Sequence, residues 1–302
     1  MNYDRMRAMQ IFTRVVELGS FTAAAKDLEL SQPAVTKSIK SLEDHLGTQL
    51  MTRSTRALAL TDDGALFYED ARRILEALME AENRVGKRAS VPSGLMRIAC
   101  PIAFGRLIMV DLVKSFLETH PLIKIELLME DRMVDLVEQG VDVAIRLGEL
   151  SDSSLRAQRV GTARRGVFAT PTYLARSGTP QSFTDLSRHN CVVLSGLTNR
   201  NQWSFETKNG QEFVAVSGNL VCSNSEGARA AVLKGLGIGY HPEWLFSAEI
   251  ETGEIKPLLE SYTPTPLPIH AVYAAGRYIS AKSRAFTDHV KIAFADNPAL
   301  SG

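Results

Sequence analysis

Gln32, Thr36 and Lys40 stand four residues apart, with Pro33 and Lys37 beside them. On a helix that spacing gathers them on one face. Their types suit the edges of base pairs. A glutamine amide pairs with adenine, a threonine offers its hydroxyl and methyl to thymine, and a lysine reaches guanine or a phosphate. A helix of this kind fits the major groove of DNA, about 12 Å wide. Val35, Ile39, Leu42 and Leu46 recur at helical spacing on the other side and are expected in a core. The solvated face of a small helical domain carries the same pattern, so the spacing alone leaves both readings open.

Other chemistry is sparse. Cys100, Cys191 and Cys222 lie far apart, without a CxxC pair, which fits a reducing compartment better than a disulfide framework. Neither Cys100 nor Cys222 has a Lys, Arg or His next to it to lower its pKa, so a thiol or redox response stands only as an alternative. His189, His241, His270 and His289 follow no metal-ligand spacing, and neither a metal nor a cofactor is expected. The chain has no nucleophile elbow, P-loop, dinucleotide fingerprint or zinc motif. No catalytic residue is therefore assigned, and an enzyme is not expected.

With 302 residues, the chain exceeds what one core usually supports, so two or three domains are expected. Lys+Arg and Asp+Glu are both 34. Any DNA contact must then rest on a local patch, since the whole molecule has no net field of one sign. Residues 1–61 hold 8 basic and 6 acidic side chains, a small local excess. No run of about 18 apolar residues occurs, and the first residues lack a signal-peptide core. A cytoplasmic protein with no membrane partner is expected.

The elements that must position these residues follow from periodicity and caps. Met6, Met9, Phe12 and Val16 mark a helix ending at Gly19. Ser20 and Ser31 are placed to cap the next two helices, and Pro33 fits a first turn. Residues 48–60 read as a short hairpin around Arg53-Ser-Thr-Arg56. Thr61 opens a long helix with Asp62 and Asp63 at its positive end. In it Phe67, Ala71, Ile74, Leu78, Ala81 and Val85 form a coiled-coil seam. Beyond a linker at residues 89–94, strands alternate with helices, which predicts parallel βαβ units. Expected strands are 95–99, 123–128, 142–147, 191–194, 213–216, 238–240 and 268–273. Expected helices are 104–118, 132–139, 225–236 and 280–295.

The stretch FTAAAKDLELSQPAVTKSIKSLEDHLGTQL closely resembles the helix-turn-helix signature of the LysR-type transcriptional regulators. The likeness continues through Thr55-Arg-Ala-Leu-Ala-Leu-Thr-Asp-Asp-Gly64 into the long helix. It resumes at Gly94-Leu-Met-Arg-Ile-Ala99, Phe104-Gly-Arg-Leu107, Asp142-Val-Ala-Ile-Arg-Leu-Gly-Glu-Leu150 and Lys234-Gly-Leu-Gly-Ile-Gly239. It therefore covers nearly the whole chain. The resemblance implies a winged helix-turn-helix, a dimerising linker helix, and a two-lobed α/β effector domain resembling periplasmic solute-binding proteins. The boundaries expected are 1–60 for DNA binding, 61–88 for the linker helix, 89–94 for a hinge and 95–302 for effector binding. The lobes are expected at 95–162 plus 268–302, and at 163–267.

By that resemblance Gln32, Pro33, Thr36, Lys37 and Lys40 line the surface that meets double-stranded DNA, and Arg53 and Arg56 lie in the wing. Met51-Thr-Arg53 stands where the family usually has Phe-x-Arg, and Thr36-Lys37 where Ser-Arg is commoner. Lysine lacks the planar fork that reads guanine with two bonds. Ligands of two-lobed α/β folds sit at the carboxyl ends of strands, in the crevice between lobes. On that rule Cys100, Pro101, Ile102 and Phe104 line one side of a small-molecule effector site. Ser195, Leu197, Asn224 and Ser225 line the other, with His241 at the border. Glu226, in the first turn of the helix after Asn224, argues against an anion brought close to that helix. Arg146 is either a carboxylate clamp or an ion-pair partner of Asp142 or Glu149. The chain is thus expected to be a homodimer or homotetramer whose promoter binding responds to a small molecule. A solute-binding protein without DNA function is the rival, and residues 1–88 count against it.

Overall fold

Ser20, Ser31 and Thr61 each stand immediately before a helix, and each side chain accepts a bond from a backbone N–H three residues on. That satisfies a donor the first turn would otherwise leave unpaired. The computed structural model describes residues 4–53, 58–85, 91–150, 155–195, 201–274 and 279–301. The chain forms two compact units, Met1–Val91 and Pro92–Gly302.

In the first unit, helices α1 (Arg5–Leu18), α2 (Phe21–Asp27) and α3 (Gln32–Leu46) precede a two-stranded antiparallel ribbon, β1 (Met51–Arg53) with β2 (Leu58–Leu60), and a long helix α4 (Asp62–Val85). Gly19 and Gly47 close α1 and α3 in the left-handed conformation, at φ 60° and 73°, which only glycine adopts without strain. The core takes Ala8, Ile11, Phe12 and Val15 from α1, Ala24 and Ala25 from α2, and Val35, Ile39 and Leu42 from α3. The buried stripe of α1 starts at Ala8, with Met6, Met9 and Val16 at its rim. One expectation shifts here, at the end of α3. Leu46, in the last turn of α3, is exposed, because the core ends one turn earlier.

Phe67 and Ala71 are also corrected. The Phe67 ring lies 5.6 Å from that of Phe12, and Ala71 is buried. Phe67 thus packs on α1 within one chain while staying half-buried, and Ala71 has no exposed surface to offer a seam between chains. Lys87, Arg88 and the first two residues of the expected linker, 89 and 90, fall outside the described residues.

The second unit begins with β3 (Gly94–Cys100). There follow α5 (Ile102–Phe104), a π-helical turn (Gly105–Met109), α6 (Val110–Thr119), β4 (Ile123–Met129), β5 (Val143–Leu147) and β6 (Arg156–Ala163). The chain returns to this sheet at β15 (Leu267–Tyr273) and ends in α10 (Ala281–Ala295). The strand order is β4-β3-β5-β15-β6. β3 is parallel to β4 and β5, and β15 is antiparallel to β5 and β6, so the parallel expectation holds for three strands of five. Between β6 and β15 lie β7 (Arg165–Ala169), α7 (Pro171–Ser177), β8 (Asn190–Leu194), β9 (Gln202–Thr207), β10 (Gly210–Ala215), β11 (Ser217–Cys222), α8 (Ser225–Leu233), β12 (Gly239–Pro242), α9 (Ser247–Glu251), β13 (Lys256–Leu258) and β14 (Thr263–Pro264). They form three small sheets, ordered β12-β7-β13, β11-β8 and β10-β9-β14.

The expected helix at 132–139 is absent. The Asp135 carboxylate accepts from the backbone N–H of Val137 and Glu138, at 2.8 and 3.0 Å. A local turn thus uses the donors a helix would have engaged, and Gly140 ends it at φ 62°. The largest apolar cluster joins both parts of this unit: Phe104 meets Trp244 at 5.2 Å and Phe294 at 6.0 Å. Lys282 of α10, buried, donates to the Leu95 carbonyl at 2.5 Å and pairs with Asp142 at 3.6 Å.

Candidate functional site

Helix α3 is built to present one face and bury the other. Ser31 and Pro33 start it, Val35, Ile39 and Leu42 anchor it, and Gln32, Pro33, Lys37 and Lys40 are left exposed, with Thr36 half-buried beside them. A groove runs along α3 past Thr36, Lys40 and Asp44 to Thr48 and Gln49. Two sets of hydrogen bonds brace the elements of this unit. Arg14 clamps α2 by two bonds to the Asp27 carboxylate, each 2.6 Å, and also reaches Glu17. The guanidinium holds the Asp27 carboxyl below the usual range.

Glu43, on α3, accepts from the backbone N–H of Leu50 at 2.9 Å and of Met51 at 3.3 Å. The Leu50 carbonyl in turn accepts from Thr61 N–H at 3.1 Å. At Gly64 a Cβ would stand 1.9 Å from that same carbonyl oxygen. One residue therefore ties α3, the ribbon and α4 together. Periodicity and motif assign no role to Glu43 or Gly64. A glycine in the first turn of a helix was the available signal, since it costs stability unless the backbone must come close. β1 carries Arg53, whereas Arg56 lies outside the described residues.

The expected effector residues divide. Cys100 is buried at the end of β3, Pro101 is half-buried, and Ile102 is exposed, its N–H bonded to Asp131 at 3.3 Å. Ser195 is tied to β11 through its N–H and the Cys222 carbonyl, at 2.7 Å. Asn224 caps α8 by accepting from Gly227 N–H at 2.7 Å, and Ser225 is half-buried beside it. Leu197 lies outside the described residues. Phe104 and His241 do not line a crevice: both are in the core, and His241 is 1% exposed.

Arg146 is bound to the Val134 carbonyl at 3.2 Å. It makes no ion pair with Asp142, which takes Lys282 and the Arg97 N–H instead. Across this region Arg106, just after α5, reaches Glu226 in the first turn of α8, with bonds of 2.8 and 3.2 Å. The counter-ion of Glu226 is not visible in the sequence. The partners are 120 residues apart, so no local pattern links them.

Burial pushes the thiols of Cys100 and Cys191 up to about 12, and that of Cys222 upward, which opposes the reactive thiolate. Among the described residues no group of three His, Cys, Asp or Glu is placed to hold a metal ion. No described helix is long and apolar enough to cross a membrane.

Two family models match this chain: the LysR substrate binding domain over residues 89–295, and the bacterial regulatory helix-turn-helix protein, lysR family, over residues 6–65. The chain belongs to the LysR family. The HTH-type transcriptional regulator CrgA of Neisseria meningitidis (serogroup C, strain 8013) is 34% identical over 281 residues, 93% of this chain and 94% of that protein. The solved structure of CrgA superposes with a TM-score of 0.60 at 33% identity, covering 95% of this chain and 98% of that one. The full-length virulence activator AphB of Vibrio cholerae gives 0.57 at 30% identity, over 94% and 97%. Like other LysR-type regulators, the chain joins a DNA-binding helix-turn-helix to an effector domain. The family comprises regulators of transcription, not enzymes.

Proposed function

We propose that this LysR-type regulator lays α3 in the major groove. Gln32, Pro33, Thr36, Lys37 and Lys40 then meet the duplex, and Arg53 and Arg56 reach its backbone from the wing. The observation that carries this is α3 itself, which buries Val35, Ile39 and Leu42 and leaves Gln32, Lys37 and Lys40 bare. Residues 1–60 bind DNA, 61–88 join copies of the chain, and 89–94 act as a hinge. Residues 95–302 bind a small effector between lobes, near Cys100–Ile102 and Asn224–Ser225. The protein acts in the cytoplasm, by binding rather than catalysis, as a homodimer or homotetramer. Support for the assembly comes from Leu66 and Ile74, which α4 leaves exposed.

Binding to the chain's own upstream duplex and to a random duplex, each at several salt concentrations, tests the reading. Lys40→Ala weakens binding to both and lowers the salt slope by about 1. Gln32→Ala costs about 1–3 kcal/mol at one base pair and leaves random binding unchanged. Equal losses on both duplexes for Gln32→Ala remove its readout role, and no preference for the upstream duplex removes the DNA assignment. A monomer in sedimentation at micromolar concentration removes the assembly.

A further inference from the structure

Two arginines of the second unit are seated alike, and differ in one part. Arg229 donates Nε to the Leu245 carbonyl at 2.9 Å, lies 6.0 Å from the Phe246 ring, and pairs with the Glu249 carboxylate. Arg165 donates Nε to the Thr265 carbonyl at 2.6 Å and lies 4.7 Å over the Tyr240 ring. Tyr240 is itself stacked on Trp203, with centroids 5.2 Å apart and rings 15° from parallel, and its hydroxyl donates to the Ser204 carbonyl at 2.5 Å. Carbonyl and ring are present for both guanidiniums. For Arg165, no described carboxylate completes the set. Thr265 Oγ1 contacts Glu206 at 3.2 Å, yet Glu206 makes no ion pair with Arg165. The neighbouring Arg164 has its own partner, Glu243, at 3.5 Å.

A half-buried cation without a counter-charge is costly, because burial removes water that a single carbonyl does not replace. Burial accordingly lowers the Arg165 pKa. The aromatic pair fixes the plane of the guanidinium. Nε is used, and the terminal nitrogens donate to nothing among the described residues. That edge is still able to meet a carboxylate with two parallel bonds.

The position adds meaning. Arg165 opens β7, a single residue separating it from the end of β6 at Ala163, and Thr265 lies between β14 and β15. These are the two places where the chain crosses between the five-stranded sheet and the smaller sheets. The Arg165–Thr265 bond joins the crossings to each other.

We propose that Arg165, held by Thr265 and the Tyr240–Trp203 stack, is a seat for a small carboxylate anion at the crossing between the two parts of the effector domain. The seat deepens the proposed reading of this unit as the effector sensor, and rests on it. An anion there meets both crossing segments at once, so it favours whichever arrangement of the two parts closes on it.

Titration of the full-length protein with sodium acetate, succinate and benzoate at constant ionic strength tests this, followed by tryptophan fluorescence and calorimetry. At least one of these anions binds saturably. Arg165→Gln weakens it tenfold or more, and Arg165→Lys falls between, keeping the charge without the fork. Circular dichroism and melting confirm that both variants are folded. No saturable binding overturns the seat, as does undiminished affinity in folded Arg165→Gln, or Arg165-dependent binding of inorganic phosphate alone. If Arg165→Gln does not fold, unchanged affinity in Arg165→Lys overturns it. The same anion is then added to the upstream-duplex assay. Arg165-dependent binding that leaves DNA affinity unmoved upholds the seat and removes the effector reading for that anion.

Discussion

His241 carries two ring nitrogens into the core with no hydrogen-bond partner for either among the described residues. Burial, with Arg165 adding repulsion, lowers its pKa to about 4, so the imidazole is neutral in the fold. In the unfolded chain it takes a proton near pH 6.5. Below that pH the unfolded state binds a proton the native state refuses, so stability is lost as pH falls from about 6.5 to about 4. Between pH 7 and pH 5 this removes about 2 kcal/mol. His241→Phe keeps a ring beside Phe246 and abolishes that component. Urea midpoints for both proteins at pH 7 and pH 5 check it: parallel slopes in wild type and variant would show His241 protonated in the fold. The histidine was visible in the sequence as the start of a His-Pro pair, but its burial was not. It depends on Val232, Phe246 and the narrow space at Gly239, where a Cβ would lie 2.8 Å from the imidazole. Gln32 and Lys40 were legible for the opposite reason. Exposed polar side chains on an amphipathic helix report their own environment.

At the scale of elements, caps and turns made the helices readable. Ser20, Ser31, Gly19 and Gly47 act as their types imply, over stretches of a few residues. The segment 132–139 misled because its apolar spacing suits a helix while Asp135 closes a turn within it. Gly64 shows a constraint that comes from outside its own helix. A methyl group there meets the Leu50 carbonyl at 1.9 Å, so either α4 or the ribbon must move. Gly64→Ala therefore destabilises the first unit by about 1–3 kcal/mol, despite alanine's better helix propensity. The displacement also disturbs the pairs from Glu43 to Leu50 and Met51, and weakens DNA binding. Thermal melts with fluorescence anisotropy on the upstream duplex measure both. A stable Gly64→Ala protein with unchanged DNA affinity would mean that the contact relaxes at no cost. Gly253 is the contrasting case: at φ 75°, a Cβ there would meet nothing within 4 Å, and strain would come from the backbone alone.

For the molecule as a whole, the order of a helical DNA-binding part, a long helix and an α/β part was legible, since each class has its own periodicity. The joining of the two parts of the effector domain was not. Their common cluster brings Phe104, Trp244 and Phe294 together from three distant segments, and their charged link brings Arg106 to Glu226. That link is where a change of arrangement should be felt. Its side chains are 50% and 31% exposed, so the pair contributes less than about 1 kcal/mol. Even so, about 1 kcal/mol alters the ratio of two arrangements about fivefold, which is enough to matter for a regulator poised between them. Arg106→Gln and Glu226→Gln each remove the link, and the exchanged pair Arg106→Glu with Glu226→Arg restores a bond of the same sign. Hydrogen exchange at the amides of Cys100–Ile102 and Cys222–Asn224 then rises by up to about fivefold in each single variant and returns toward wild type in the exchanged one. Rescue separates coupling from damage, because a misfolded single variant would not be repaired by adding a second substitution. Exchange rates that stay at wild-type values in both single variants would show that the apolar cluster alone holds the two parts, with the ion pair a surface contact of no consequence.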